Sequence, residues 1–302
     1  MNMESGLPAG SLIICSRNRP RLLFETVESV LRGSQLPNEM VIVDQSAEPN
    51  PDLLEMKTEH PCEVRYLHSK TAGVSAGRNL GIASSRYDVL IFIDDDMFVA
   101  SDWYGSLMRA VVHAGRSGVV TGRVLPGESE SSNHTSPSIK ADQEPAVYQG
   151  RIGRDVLYSG NMGAYRSVFD AVGVFDERLG PGAAFPSAED NDLGFRLLER
   201  GYRICYAPEA VVFHRAWRSK GEILSLEWRY GMGQGAFYAK HMNRRDSHMS
   251  SRMAHDIGGN LKHFWGHLRR RRRLRLDYLF QAFGLLYGAV RWRTAQIGRG
   301  SP

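Results

Sequence analysis

Apolar and polar positions along the first third of the chain separate short strands from helices. SLIIC (Ser11 to Cys15), EMVIVD (Glu39 to Asp44), EVRYLH (Glu63 to His68) and VLIFID (Val89 to Asp94) have the length and apolar content of strands in a sheet. Between them, Leu22, Leu23, Val27, Val30 and Leu31 recur at helical spacing over Arg21 to Leu31, and GVSAGRNLGIASS reads as a helix with a glycine-rich start. Strands separated by helices predict a mostly parallel sheet with right-handed crossovers, an α/β class. Ligands of such sheets bind beyond the carboxyl ends of the strands, where Asp44 and Asp94 stand.

The pattern then loosens. GESESSNHTSPSIKADQEP, 127 to 145, contains little to bury and is expected to be a mobile surface loop. It resumes in a compact segment from Tyr158 to His214 and a mixed helical region from Glu222 to His241. YLFQAFGLLYGAV (Tyr278 to Val290) is apolar but shorter than the ~20 residues a membrane-spanning helix needs. No internal repeat is present.

Charge sharpens this division. Residues 261 to 302 carry ten Lys or Arg, Arg269 to Arg273 among them, against Asp277 alone; with a formal net charge of +5 overall, the rest of the chain is mildly acidic. Such asymmetry fits a catalytic or binding body with a tail that meets a polyanion or an anionic membrane surface. Cys15, Cys62 and Cys205 are too few and scattered for a disulfide framework or a structural zinc site. With no signal-peptide pattern in MNMESGLPAG, a cytoplasmic location is expected, peripheral to the inner face of the membrane if the tail binds lipid, and the sequon at Asn133 is then incidental.

The chemistry concentrates in acids. Asp94, Asp95 and Asp96 follow directly on a buried strand, where three carboxylates repel one another and any left dry without a partner would neutralise. Such a cluster suits a hard divalent cation, Mn²⁺ or Mg²⁺, that takes one or two carboxylates and leaves room for a phosphate-bearing substrate. A second group lies in FPSAEDNDLGFRLLERGY, where Ser187 and Asp190 stand at capping-box spacing and Glu189, Asp190 and Asp192 fall in the first turn of a helix. Beyond capping, an ionised carboxylate there can serve as a general base, and helix geometry lets only one of Glu189 and Asp190 face the reacting group. The glycines of LGPGAAFPSA would let that loop move over a substrate, and His214, ending AVVFH, is either structural or a metal ligand.

Taken in order, SLIICSRNRP, VIVDQS, AGVSAGRNLGI, VLIFIDDDMFVASDW, YSGNMGAYR, AEDNDLGFRLLERGY and VVFH resemble the family 2 nucleotide-sugar glycosyltransferases of the GT-A fold, over about residues 10 to 215. The resemblance implies a GT-A domain over 1 to 220, with a nucleotide-sugar half at about 10–125 and an acceptor and catalytic half at about 150–215, followed by a helical basic region over 221–302. It implies that Cys15, Ser16, Arg17 and Asp44 line the nucleotide pocket, with Asp44 on the base, and that Gly73, Arg78 and Asn79 lie near the nucleotide and diphosphate. It places Asp94 and Asp95 on ribose or sugar, Asp96 and His214 on the metal, and Asp190, with Glu189 beside it, as the base of an inverting transfer.

UDP is the expected donor nucleotide, with dTDP and GDP as alternatives, and the expected acceptor is a glycan or a lipid-linked molecule; no nucleic-acid partner is expected. No QxxRW motif or series of membrane spans points to a processive synthase. A sugar nucleotidyltransferase would want a glycine-rich, lysine-bearing phosphate loop that CSRNRPR lacks, and a dinucleotide oxidoreductase would want GxGxxG after the first strand. A non-enzymatic polyanion- or membrane-binding protein would leave both acidic groups unexplained.

Overall fold

The first four strands fall where the apolar runs put them in a computed structural model of the chain, which describes residues 6–54, 61–129, 134–136, 138–216, 218–269 and 275–297. Two compact units emerge, Met1–Phe175 with Leu193–Arg218, and Asp176–Asp192 with Ser219–Pro302. The second therefore takes in not only the basic C-terminal region but also the stretch containing Glu189 and Asp190.

In the first unit the chain runs β1 (Gly10–Ser16), α1 (Pro20–Leu31), β2 (Glu39–Asp44), α2 (Pro51–Leu54), β3 (Glu63–His68), α3 (Val74–Ser84), β4 (Val89–Asp94), β5 (Met97–Val99), α4 (Trp103–Ala114), β6 (Gly118–Ser129), β7 (His134–Thr135), β8 (Ala146–Tyr148), β9 (Asn161–Tyr165) and α5 (Arg166–Val172). It then continues through most of α6 (Glu189–Glu199) and β10 (Arg203–Ala216) to β11 (Arg218–Ser219). The main sheet has the order β3-β2-β1-β4-β9-β6-β10-β5, with β8 added on β10. β1 pairs in parallel with β2 and β4, β2 pairs in parallel with β3, and β9 enters antiparallel between β4 and β6.

β1, β2 and β4 are buried almost throughout because both sheet faces are covered. Alternate residues divide between two cores: Leu12 and Ile14 join Leu23, Val27, Trp103 and Leu107 from α1 and α4, while Ile13, Leu90 and Phe92 join Phe169, Leu193 and Leu197 from α5 and α6. Pro20 opens α1, where its missing N–H costs nothing. Asn161 pins the sheet, accepting from Trp103 Nε1 at 2.9 Å and donating to the carbonyl of Ala210 at 2.9 Å.

The described residues of the polar segment from 127 to 145 are more ordered than its composition suggests. β6 runs into it as far as Ser129, Lys140 pairs its backbone with Val124, and the Lys140 ammonium donates to the Val156 carbonyl at 2.7 Å. Asn133 lies outside the described residues.

The second unit is helical, with α7 (Ile223–His241), α8 (His248–Arg269) and α9 (Asp277–Ile297). α7 and α9 approach so closely that a Cβ on Gly235 would strike the Leu285 backbone and one on Gly288 the Met232 backbone. Small residues on both helices remove the side chains that would hold the axes apart. The loop before α6, expected to move, is fastened here: Gly180 donates to Phe185 O, Arg291 donates to Ala184 O, and Trp292 packs on Phe185 and Arg178. Among the described residues no helix is long and apolar enough to cross a membrane. Most of the arginine run, Arg270 to Arg273, lies outside the described residues.

Candidate active site

The chain leaves β1 for β2 and β3 on one side and returns to β4 on the other, so strand order reverses at β1. A crevice opens at such a reversal beyond the carboxyl ends of the strands. Register places Ser16 beside Asp44 and Cys15 beside Asp94. After Asp94 a tight turn carries Asp95 and Asp96 into β5, which pairs with β10 so that His214 stands opposite Met97.

The three acids are separated by their partners. Asp94 accepts from Arg78 of α3 at 2.7 Å and from the Tyr158 hydroxyl at 3.3 Å. Asp95 accepts from Ser16 Oγ at 2.6 Å and Arg19 Nη1 at 2.8 Å, while Thr26 Oγ1 donates to its carbonyl. Asp96 holds one oxygen 3.3 Å from His214 Nε2 and the other 3.4 Å from Arg19 Nη1. Burial pushes the Asp95 carboxyl up to about 7, the Arg19 charge and the Ser16 hydrogen bond pull it back, and Asp96 and Asp94 push it further up. Burial lifts the Cys15 thiol to about 12, so it remains uncharged.

A divalent cation would find an oxygen and an imidazole nitrogen here, both nine-tenths or more buried on Asp96 and His214. Among the described residues no three His, Cys, Asp or Glu side chains gather as a metal cage. Two protein ligands suffice for an ion that shares its shell with substrate phosphates, and the donor set fits Mn²⁺ or Mg²⁺ in that sense.

The other expected residues are placed as follows. Asp44 is buried, accepting from the Tyr66 hydroxyl at 2.5 Å and the Ser46 N–H at 2.9 Å. Gly73, with φ of 118°, precedes α3, and its carbonyl accepts from Gln45. Arg17 is exposed. Both ends of the Asn79 amide clasp the backbone of Phe175, at 3.0 and 3.1 Å, which makes Asn79 a fastener of the α3 side of the site.

Glu189 and Asp190 open α6 in the second unit. The capping reading of Ser187 fails: its hydroxyl donates to carbonyls of Arg229 and Tyr230 on α7, and Ala188, at φ of 69°, occupies the turn into the helix. Two residues past Asp190, Asp192 is fully buried against Lys240 Nζ at 2.6 Å and His241 Nε2 at 2.7 Å. Lys240 also reaches Asp176 at 2.8 Å. Burial works against the Asp176 charge, yet hydrogen bonds from Arg178 and Lys240 hold its carboxyl well below the usual range.

The sequence profile of glycosyl transferase family 2 matches residues 11–173, the stretch that carries the acidic turn and all strands of this sheet except β10. The chain belongs to that family. It is 27% identical over 229 residues to a glucosyl-dolichyl phosphate glucuronosyltransferase of Haloferax volcanii, covering 72% of this chain and 73% of that protein. It is 27% identical over 242 residues to a pre-mycofactocin glycosyltransferase of Mycobacterium tuberculosis, covering 78% of this chain and 48% of the relative. ExoM, a succinoglycan biosynthesis protein of Rhizobium meliloti, is 30% identical over 113 residues, or 35% of this chain and 36% of ExoM. The chain thus spans about a third of ExoM and about half of the mycobacterial relative. Solved structures share the GT-A fold: GalNAc-T7 at a TM-score of 0.58 and 18% identity, over 78% of this chain and 51% of that one, and S. aureus TarS 1-349 at 0.57 and 13%, over 95% and 92%. The matched domain is of the glycosyl transferase class.

Sequence reasoning missed Arg19, the group that spans Asp95 and Asp96. Its signal was present: a basic residue just past a strand whose parallel neighbour ends in three acids.

Proposed function

We propose that this glycosyltransferase moves a sugar from a nucleoside-diphosphate donor, UDP foremost and dTDP or GDP as alternatives, to a hydroxyl of a glycan or lipid-linked acceptor with inversion at the anomeric carbon. The observation that carries this reading is the sorting of Asp94, Asp95 and Asp96 at the strand-order reversal, with His214 beside Asp96. Relatives whose names specify a dolichyl-phosphate-linked sugar and an O-antigen chain support the acceptor class, and the GalNAc-T7 crystal containing UDP and Mn²⁺ supports the donor and ion.

In this reading Asp96 and His214 hold Mn²⁺ or Mg²⁺. The bound ion supplies charge neutralisation for the departing diphosphate. Asp44 receives the base, with Cys15, Ser16 and Arg17 along the nucleotide pocket and Gly73 behind it. Arg78 orients Asp94 toward ribose or sugar, and Ser16 with Arg19 orients Asp95. Asp190 takes the proton from the acceptor hydroxyl as it attacks the face opposite the leaving group, Glu189 stands beside it, and no covalent intermediate is required. The protein works on the cytoplasmic side.

Calorimetry with UDP, dTDP and GDP sugars, in Mn²⁺ and in EDTA, tests this. One donor should bind only with metal; Asp96→Ala should abolish that binding, and Asp190→Asn should retain it while losing transfer. Normal metal-dependent donor binding by Asp96→Ala would overturn the ion assignment, and full turnover by Asp190→Asn would overturn the base.

A further inference from the structure

Both sides of α9 are apolar. Ala282, Leu285, Ala289 and Trp292 are buried within the second unit, whereas Leu276, just before the helix, and Phe280, Phe283, Tyr287, Val290 and Ile297 are exposed in one set, with Leu286 exposed beside it. The exposed set follows alternating steps of four and three residues, with Thr294 filling the remaining step, so it forms one line along the helix. Phe283 is 58%, Val290 63% and Ile297 79% exposed. α8 packs its His263 ring on Tyr278 of α9 and leaves Trp265, at 53%, and Leu268 exposed as well. Apolar exposure in a continuous strip marks a contact surface rather than ordinary surface scatter.

Charge identifies the occupant. At about 100° per residue, Arg291 and Arg293 stand about 80° to either side of the line through Phe283 and Val290. Lys262 and Arg269 flank the exposed apolar residues of α8. The acids of these two helices face other work: Asp256 accepts from the Tyr238 hydroxyl at 2.5 Å, and Asp277 is buried and bridged to Arg275 at 2.6 Å. An apolar strip edged by cations, carrying Trp and Tyr, is the build of a helix that lies in the headgroup layer of an anionic bilayer. A second copy set against the same strip would bring Arg291 and Arg293 of both chains together, which like-charge repulsion opposes.

We propose that the exposed strip of α9, with Trp265 of α8, docks this protein on an anionic lipid surface. The inference is independent of the donor, ion and base assignments, and vesicle binding can fail or succeed whatever the fate of those.

Flotation of the full chain with phosphatidylglycerol-containing and with pure phosphatidylcholine vesicles tests it. Binding should favour the anionic vesicles and weaken with salt. Phe283→Ser/Val290→Ser, at exposed positions that leave the melting curve unchanged, should lower the partition coefficient about tenfold or more. Arg293→Gln should lose part of the salt-sensitive binding alone. Failure of the wild type to float, or equal flotation of the double serine variant, would overturn the proposal. So would a wild-type dimer that the serine variant dissociates, since the strip would then belong to a second copy.

Discussion

Replacing Lys240 with Met removes the cation from a buried cluster while keeping its aliphatic bulk. Asp192 has no exposed surface and holds Lys240 at 2.6 Å and His241 at 2.7 Å, with Asp176 sharing Lys240 at 2.8 Å. Stranding one partner of a buried ion pair costs about 3–5 kcal/mol. His241 still faces Asp192 and Arg178 still faces Asp176, so about 2–3 kcal/mol is expected for Lys240→Met. Urea unfolding followed by circular dichroism, on the wild type, Lys240→Met, Asp192→Asn and the double variant, should show the two costs coupled by about 1–2 kcal/mol. The sign with pH is fixed by Asp176, whose carboxyl is depressed: its stabilisation is full above the ordinary value near about 4 and disappears as pH falls through the lower folded value. The cost of Lys240→Met should therefore be greatest at neutral pH and shrink on acidification. Because Asp192 lies in the same helical turn as Asp190, turnover should fall while donor affinity holds. Costs that add to within about 0.5 kcal/mol would refute the network as the anchor of that turn.

Two further expectations concern packing and burial. Gly235→Ala should destabilise by about 1–3 kcal/mol by overpacking, despite alanine's better helix propensity, because its Cβ meets the Leu285 backbone; a higher urea midpoint would contradict the close approach of α7 and α9. Burial lowers the Lys140 ammonium to about 8 from its ordinary value, so the unfolded chain holds the proton more tightly between about 8 and 10.5 and wild-type stability rises over that interval. Measured against Lys140→Met, the wild type should gain about 2 kcal/mol across it after allowance for partial exposure, and parallel pH profiles would refute the burial argument.

β1, β2 and β4 were legible to within a residue because each is an apolar run closed by polar residues, and burial on both faces leaves little other reading; β3, a half-buried edge strand, was legible from Val64 and Tyr66 alternating with Glu63 and Arg65. The acids at the ends of β2 and β4 were legible for the same reason: strand ends fix where a side chain emerges. Pairings set by distant topology were not. Arg19 meets Asp95, 76 positions away in sequence, only because β1 and β4 lie side by side. β10 runs fourteen residues, but AVVFH alone announced it, since its first half is mixed in polarity. Ser187 obeyed the spacing of a helix cap and went instead to carbonyls of α7, a partner that only tertiary contact supplies. In α9 the run of apolar residues pointed outward to a surface, and the spacing of Gly284 and Gly288 carried the other half of the message, a face pressed against α7.

Repulsion among Asp94, Asp95 and Asp96 is resolved by distributing them among donors from different elements, Arg78 from α3, Ser16 and Arg19 from the end of β1 and the turn after it, and His214 from β10. Among the ion pairs described for them, three carboxylates face two guanidiniums, and the surplus of formal charge is negative. The raised carboxyl of Asp95 expresses that surplus together with its burial. On the proposed reading, a nucleoside diphosphate approaching this cluster would meet like charge, and a divalent cation held by Asp96 and His214 would reverse the sign of the balance. The proposed metal dependence of donor binding would then be a property of the whole cluster rather than of two ligands. Arg19→Ala, which deepens the negative surplus, should tighten Mn²⁺ binding in a titration without donor, and weaker Mn²⁺ binding would show that Arg19 instead shapes the acidic turn.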